Sequence, residues 1–490
     1  MRPAPVLVFL SLFGCGDSAR SDSSTYSGSY ATSSGASATS PSTDAEQEED
    51  TDAAEDTGSP DCDAVAPVVL FASPDDSNSM SAPAQVVDAA AGGLTSAALR
   101  TWEFFNYYSF DYPAAEPGDL ALGLDLVLET TGDYTFQVGI SSATVSDADR
   151  APMNLTFVID TSGSMSGSPL ARVVNVGHAS AAKLKAGDIV SMVTWADDQH
   201  VLLDGHEVVG PNDPLVLKAF DDLESDGSTN LSAGLEKGYD LANRNHASGR
   251  INRLILISDG GANVGVTDAD LIAANAGAED ENGIYLVGVG VGEGNTYNDA
   301  LMDTVTDVGQ GASVFVYSEE EANKIFGDRF LQTLGVAARD LQITYELPPG
   351  FEVLRFSGEQ LSANRDEVQP QHIAPNDAVV LHQTLHTCAP ELVTADTEIT
   401  IRLDWRDADT FEAKQTSVTA RFGDLLEEQS LRLAKGQAVF QYVAALKVSR
   451  DGGNVAAAKL SALAAIGAAL AMNPSDAELD EMIGVLNAVL

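Results

Sequence analysis

Basic residues are scarce in this chain. It has 26 lysines and arginines against 73 aspartates and glutamates, a formal net charge of −47 over 490 residues. Proteins that bind nucleic acid neutralise its phosphates with Lys and Arg, so this composition argues against a nucleic-acid partner. Acidic partners are also disfavoured at long range, and a site that binds a carboxylate must attract it locally.

A long apolar run near the N-terminus is also lacking. The stretch from Val6 to Phe13 follows Arg2 and is too short for the roughly 20 residues that span a bilayer. It is typical of an export signal. Its end, Leu12-Phe13-Gly14-Cys15, resembles a bacterial lipobox, which implies cleavage before Cys15, lipidation of its thiol and a cell-envelope location, at the outer membrane or cell surface. The membrane is then contacted through the lipid anchor only. A plain secretory signal is the alternative.

Apolar residues are almost absent from residues 16–64, a Ser/Thr-rich and then acidic segment. Such a composition predicts a disordered tether, with a reach of roughly 35–40 Å for a flexible chain of this length. The chain has only three cysteines. If Cys15 carries lipid, Cys62 and Cys388 form a disulfide in an oxidising compartment or stay as two free thiols.

Oxygen-bearing side chains follow two buried strands and open one helix. Asp160, Ser162 and Ser164 follow the apolar run that starts at Leu155, Thr229 lies before a helical pattern, and Asp259 ends a second apolar run. Ligands of an open parallel α/β sheet collect beyond the carboxyl ends of its strands, so these pieces should converge there. Carboxylate and hydroxyl oxygens suit a hard divalent cation. The sequence therefore predicts a Mg²⁺ site, with Mn²⁺ or Ca²⁺ as alternatives.

In this combination, the five residues resemble the metal-ion-dependent adhesion site of von Willebrand factor type A domains. The resemblance implies that the serines and the threonine contact the metal and that the aspartates act directly or through water. It also implies a protein ligand whose Asp or Glu supplies the last metal ligand. Any one of the three motifs alone is also typical of a strand-to-helix turn with a capping residue.

The pattern of elements predicts an α/β fold with a doubly wound, mostly parallel sheet, inserted in a β-sandwich formed by the flanking segments. A C-terminal helical region follows. Residues 65–150, which carry an aromatic helix and strands, resemble the N-terminal module of bacterial von Willebrand factor type A lipoproteins. We expect the metal-binding domain at 151–336 with one helix over 319–334, a β-rich domain at 337–424 and the helices at 425–490, after a signal peptide at 1–15.

Catalysis finds little support in the sequence. None of the seven histidines lies in the three motifs, and a nucleophilic serine needs a base within reach. We therefore expect a binding, adhesion or assembly protein and not an enzyme. Two alternatives remain: a metal-dependent hydrolase that uses the same ion, since a bound cation acidifies its water, and the assistant subunit of an ATPase, as some von Willebrand factor type A domains are.

Overall fold

The computed structural model describes residues 66–73, 78–90, 98–261, 266–276, 283–293, 297–426 and 430–490. The predicted signal peptide, Cys15, Cys62 and the tether lie outside these residues, and the statements about them stay predictions.

The segment before the α/β domain contributes three strands and two helices. They are β1 Val68–Ser73, α1 Ser81–Ala89, α2 Thr101–Tyr107, β2 Ala121–Leu128 and β3 Tyr134–Ser141. Helix α2 is the predicted aromatic helix, and it buries Phe104, Phe105 and Tyr107 almost completely. Strand β1 and helix α1 were not expected from the sequence.

A six-stranded sheet forms the centre of the α/β domain. Its elements are β4 Met153–Asp160, α3 Ser168–Lys183, β5 Ile189–Trp195, β6 Gln199–Glu207, α4 Pro214–Asp221, α5 Leu231–Arg244, β7 Ile251–Ser258, α6 Val266–Ala276, β8 Tyr285–Gly290, α7 Asp299–Gly309, β9 Ser313–Phe315, α8 Glu319–Asn323 and α9 Phe330–Leu334. The strand order is β6-β5-β4-β7-β8-β9, with only the β5–β6 pair antiparallel. Strands β4 and β8 are buried throughout and β7 nearly so, as expected for parallel strands covered on both faces.

The single helix expected over 319–334 is wrong. A π-helical turn, Lys324–Asp328, separates α8 from α9. The Lys324 ammonium in this turn lies 3.3 Å from the centroid of the Tyr107 ring, a cation–π contact with α2. The sequence pattern of apolar residues does not reveal one extra residue in a helical turn.

Two antiparallel sheets are built from strands that precede and strands that follow the α/β domain in the sequence. Their remaining strands are β10 Ala338–Leu347, β11 Phe351–Phe356, β12 Gln360–Ser362, β13 Gln371–Ile373, β14 Ala378–Thr387, β15 Glu398–Asp407 and β16 Ala413–Arg421. One sheet has the order β12-β1-β10-β15-β16, with β13 beside β10, and the other the order β11-β14-β3-β2. Phe136 and Tyr345 meet between them, with ring centroids 6.5 Å apart. Strands from both sides of the α/β domain therefore share one sandwich, which confirms the predicted insertion.

Helices end the chain. They are α10 Phe422–Leu425, α11 Leu431–Asp451, α12 Val455–Met472 and α13 Ala477–Val489. Tyr442 of α11 packs edge-on against Phe104, with centroids 5.9 Å apart, so the C-terminal helices and α2 share a core. By length and composition α12 could cross a membrane, with a mean hydropathy of 1.8. In the fold it buries Ala462, Ile466 and Ala469.

A buried charge network joins the N-terminal helices to α7. Arg100 pairs with Glu103 and places its Nη1 2.8 Å from Oδ2 of Asp299. Oδ1 of Asp299 accepts hydrogen bonds from Ser81 Oγ at 3.0 Å and from Gln85 Nε2 at 2.7 Å. Glu103 is fully buried and Arg100 is 7% exposed. Their pairing offsets the free-energy cost of burying these charges.

The ring of Tyr112 packs against two glycines of the sandwich. Its ring covers Gly123 and Gly139, which are paired across β2 and β3, and a Cβ on Gly139 would lie 2.3 Å from the ring. Its hydroxyl donates to Oδ2 of Asp125 at 2.8 Å and accepts from Nε2 of Gln137 at 2.9 Å. The two glycines are therefore required by the close approach of an aromatic ring and not by backbone conformation.

We expect Gly139→Ala to lower the free energy of unfolding by about 1–3 kcal/mol, because the added methyl overlaps the Tyr112 ring. Denaturant unfolding followed by circular dichroism measures the change. Gly467→Ala is the matched control, since it lies in α12 with no atom within 4 Å of the added Cβ, and it should be neutral or stabilising by up to about 1 kcal/mol. Equal effects of the two variants would contradict the role given to Tyr112.

Candidate metal centre

Asp160 ends the central strand β4 at the carboxyl edge of the sheet. It is fully buried. Its Oδ1 accepts the backbone N–H of Ser162 at 2.9 Å, and its Oδ2 accepts the hydroxyl of Ser258 at 2.7 Å. Each carboxylate oxygen therefore has one donor and keeps further acceptor capacity.

Burial raises the pKa of Asp160 above its ordinary value. The hydrogen bonds from Ser162 and Ser258 lower it in part, and the nearby carboxylate of Asp259 raises it. Two carboxylates close together in a buried setting disfavour the ionised state. A cation between them would reverse this effect.

Ser162 and Ser164 stand on the turn that follows β4. Their Oγ atoms are 3.2 Å apart, and Ser162 is 2% exposed whereas Ser164 is exposed. A short 3₁₀ turn, Gly163–Met165, presents both hydroxyls before α3 begins at Ser168. The start of α3 close to this turn places positive helix-dipole character near an anion held there.

Backbone hydrogen bonds fasten the second loop to the first. The N–H of Gly163 donates to the carbonyl of Gly227 at 3.1 Å, and the N–H of Asp226 donates to the carbonyl of Thr161 at 2.8 Å. Thr229 follows on this loop, is exposed, and directly precedes the residue that caps α5. The loop bearing Thr229 is thus held against the Ser162 turn.

The third loop brings in Asp259, which is 8% exposed. Its Oδ1 accepts the N–H of Gly261 at 3.0 Å. A Cβ on Gly261 would lie 3.1 Å from that oxygen and 3.5 Å from Oγ of Ser164, so the carboxylate and the hydroxyl border the same space beside Gly261. Gly260 has φ +79° and sits against the backbone of Asn298, a position that only glycine fills without strain.

Sequence analysis missed the role of Ser258. Its hydroxyl donates to Asp160 and accepts the N–H of Gly260 at 3.1 Å, so it positions the central carboxylate and the third loop together. Its place directly before Asp259 in the motif was the only signal. A side-chain contact between two strands cannot be predicted from the apolar pattern of either strand alone.

An acidic cleft of about 370 Å³ lies beside the first two of these loops and is lined by Thr161, Asp226 and Gly227 among others. Asp197 and Asp198, which follow β5, line it and are exposed. The hydroxyl of Ser228 donates to Asp197. Because both aspartates are exposed, we interpret this segment as a solvated loop.

Comparison with known proteins identifies the α/β domain. The family model for the von Willebrand factor type A domain matches residues 154–328. These residues are a von Willebrand factor type A (VWA) domain. Domains of this family typically mediate protein–protein interaction or adhesion, and the VWA relatives are mostly not enzymes.

The relatives cover part of the chain. An uncharacterised protein of Escherichia coli K12, YfbK, is 31% identical over 265 residues, which are 52% of this chain and 46% of that protein. An uncharacterised Synechocystis protein, sll0103, is 25% identical over 47% of this chain and 54% of its own length. The chain thus spans about half the length of these two proteins. Mouse inter-alpha-trypsin inhibitor heavy chain H3 is 25% identical over 42% of this chain and 24% of its own length.

Among solved structures, a von Willebrand factor type A protein from Catenulispora acidiphila matches 74% of this chain and 88% of its own, with a TM-score of 0.46 and 16% identity.

The donor set of the VWA domain fits a hard divalent cation. Among the described residues, no group of three or more His, Cys, Asp or Glu is placed to hold a metal. The oxygens gathered here come from two aspartates and from serine hydroxyls, with Thr229 on the adjoining loop. This set favours Mg²⁺ or Mn²⁺, or Ca²⁺ with added waters, over Zn²⁺.

Cys388 lies outside the VWA domain, at the end of the sandwich strand β14. It is disulfide-bonded. The other cysteine of that bond lies outside the described residues, so the pairing with Cys62 stays a prediction.

We expect Asp160→Ala to remove measurable Mg²⁺ binding in calorimetry, because the central carboxylate is lost. Ser258→Ala should weaken the affinity by about 10–100-fold, since Asp160 then loses the group that orients it. Asp198→Ala, which removes an exposed carboxylate of the neighbouring cleft, is the control and should bind Mg²⁺ as the parent does. A parental affinity in Asp160→Ala would remove Asp160 from the site.

Proposed function

We propose that this chain is a cell-envelope lipoprotein that binds a protein ligand through a divalent cation held by Asp160, Ser162, Ser164, Thr229 and Asp259. One observation carries the proposal: a fully buried carboxylate with spare acceptor capacity adjoins a second carboxylate and two hydroxyls at an open sheet edge. Burying an ionised carboxylate costs free energy unless another charge compensates it. A cation supplies that charge.

The ligand chemistry follows from the oxygen ligands that the coordination shell still lacks. Two carboxylates neutralise a divalent cation, and the hydroxyls add neutral oxygen ligands. Ser164 and Thr229 are exposed, so a coordination position faces outward and is open to an oxygen from outside. An Asp or Glu of a partner protein would complete the shell, with the start of α3 favouring the anion. This fits binding, adhesion or assembly as the function class.

The envelope location rests on the sequence. Cys15 ends a short export signal, and the tether after it would hold the folded part near a membrane. Cys388, which takes part in a disulfide, suits an oxidising compartment. The anchor, the compartment and the metal-bridged contact are separable parts of the proposal, and each has its own test.

The first test is a pull-down from native envelope with the full chain as bait, in Mg²⁺ and in EDTA. We expect a partner that is retained only in Mg²⁺ and that Asp160→Ala fails to retain, because the partner's carboxylate is bound through the ion. Asp198→Ala should retain it. Partners that are identical in all samples would assign binding to the sandwich or to the C-terminal helices.

A second test addresses the anchor. Replacing Cys15 with Ser removes the thiol that receives the lipid, so the protein should move from the membrane fraction to the soluble fraction after cell lysis. Cys62→Ser is the matched control and should remain in the membrane fraction. A Cys15→Ser protein that stays membrane-bound would refute lipid anchoring.

A further inference from the structure

Arg253 is a buried arginine with no acidic partner among the described residues, in a chain where acidic residues outnumber basic ones almost threefold. It is 5% exposed, and within the part of the chain that the structure describes its side chain makes one hydrogen bond, from Nη1 to the carbonyl of Asn252 at 3.1 Å. Other buried arginines of this protein have acidic partners: Arg100 pairs with Asp299, and Arg150 with Asp188. Within the described residues Arg253 forms no ion pair.

The surroundings of Arg253 add positive charge. Its neighbour across the sheet is Tyr285, and the Arg253 guanidinium carbon lies 4.9 Å from the centroid of that ring. The guanidinium of Arg339, on β10 of the sandwich, lies 5.3 Å from the same centroid and donates to the Tyr285 hydroxyl. Burial, with Arg339 adding to its effect, lowers the pKa of Arg253 to about 10, so the group is still charged at neutral pH.

An unsatisfied buried donor comes from His372 on β13. Its Nδ1 accepts the backbone N–H of Asp340 at 3.3 Å, so in the neutral ring Nε2 carries the proton. Burial, together with Arg339 and Arg253, lowers the pKa of His372 to about 3, which keeps the ring neutral. Its Nε2 is buried and has no hydrogen-bond partner among the described residues. An N–H in this state calls for an acceptor.

Arg253 and His372 line one small cavity, together with Gln310, Gly311 and Thr333. Its volume is about 20 Å³. A cavity of roughly 10–15 Å³ holds one water molecule, so there is room for one atom of about that size and none for a phosphate or sulfate. The cavity lies where the amino ends of β7 and β8 meet the sandwich.

From these observations we infer that the cavity binds a single monatomic anion of the halide class. The guanidinium of Arg253 supplies charge and donors, and Nε2–H of His372 supplies a further donor. Because Arg253 belongs to the VWA domain and His372 to the sandwich, a halide there would bind both and stabilise their junction. A neutral water could accept the same hydrogen bonds but would leave the buried charge uncompensated.

The test measures the thermal unfolding midpoint of the full chain in sodium chloride or bromide against sodium gluconate at constant ionic strength. Gluconate is too large for the cavity. We expect the midpoint to rise with halide concentration and to level off at saturation, as for a ligand that binds only the native state. A midpoint that depends on ionic strength alone, the same in halide and gluconate, would overturn the proposal and assign the cavity to water.

Variants locate the effect. Arg253→Met should abolish the halide-dependent shift, and Arg244→Met, at an exposed arginine paired with Asp204 and Asp240, should keep it. His372→Phe keeps a ring against Tyr285 and removes one donor, so the halide should bind roughly tenfold more weakly. A full shift in both Arg253→Met and His372→Phe would place the halide elsewhere and refute the site.

If Arg253→Met does not fold, diffraction from parental crystals grown in bromide decides the question. The anomalous signal of bromine should give one peak between Arg253 and His372. An empty cavity in such crystals would overturn the assignment. Neither measurement depends on Mg²⁺ or on a protein ligand, so its failure is separate from that of the proposed function.

Discussion

Burial of the Asp160 carboxylate at the end of the central strand is the constraint on which the candidate site depends. With β5 on one side and β7 on the other, Asp160 has no exposed surface, and its oxygens need partners from the turn that follows β4 and from the end of β7. Ser162 supplies one and Ser258 the other. The turn after β4 and the end of β7 are therefore held at one point before any metal is considered, and the candidate metal site uses an arrangement that the fold already requires.

The N-terminal module braces this edge of the sheet from a distance. Gly260 packs against Asn298, whose side chain accepts the N–H of Leu301 and caps α7. The next residue, Asp299, is held by Arg100 in the buried charge network. The loop of Asp259 and the helices before the VWA domain are thus linked through the first turn of α7. This gives a physical reason for the N-terminal module to pack against α7: it limits the positions that the third loop can take.

The parts of the fold that the sequence predicted correctly depend on residue patterns within single segments of the chain. Asp160 and Asp259 follow buried apolar runs, and both the sheet edge and the convergence of the loops follow from the rule for parallel strands. The pairing of the flanking strands was also predicted, from their pattern on both sides of the α/β domain. Contacts between residues far apart were not: Ser258 reaches Asp160 across neighbouring strands, and Lys324 meets Tyr107 after an extra residue enters a helical turn. No periodicity in one segment encodes such contacts, because each depends on how two segments are placed together.

The two ends of β7 lie beside buried charges of opposite sign. At the carboxyl end, Asp259 approaches Asp160, and the excess there is negative. At the amino end, six residues and about 20 Å away, Arg253 and Arg339 share the Tyr285 ring, and the excess is positive. With so many carboxylates in the chain, an ion pair for Arg253 would be easy to supply, yet the described groups around it are aromatic rings and a second guanidinium, that of Arg339. Since a buried charge without a partner is costly, the proposed cation and the proposed halide would each compensate the local excess, the cation at the exposed edge of the sheet and the halide where the VWA domain meets the sandwich.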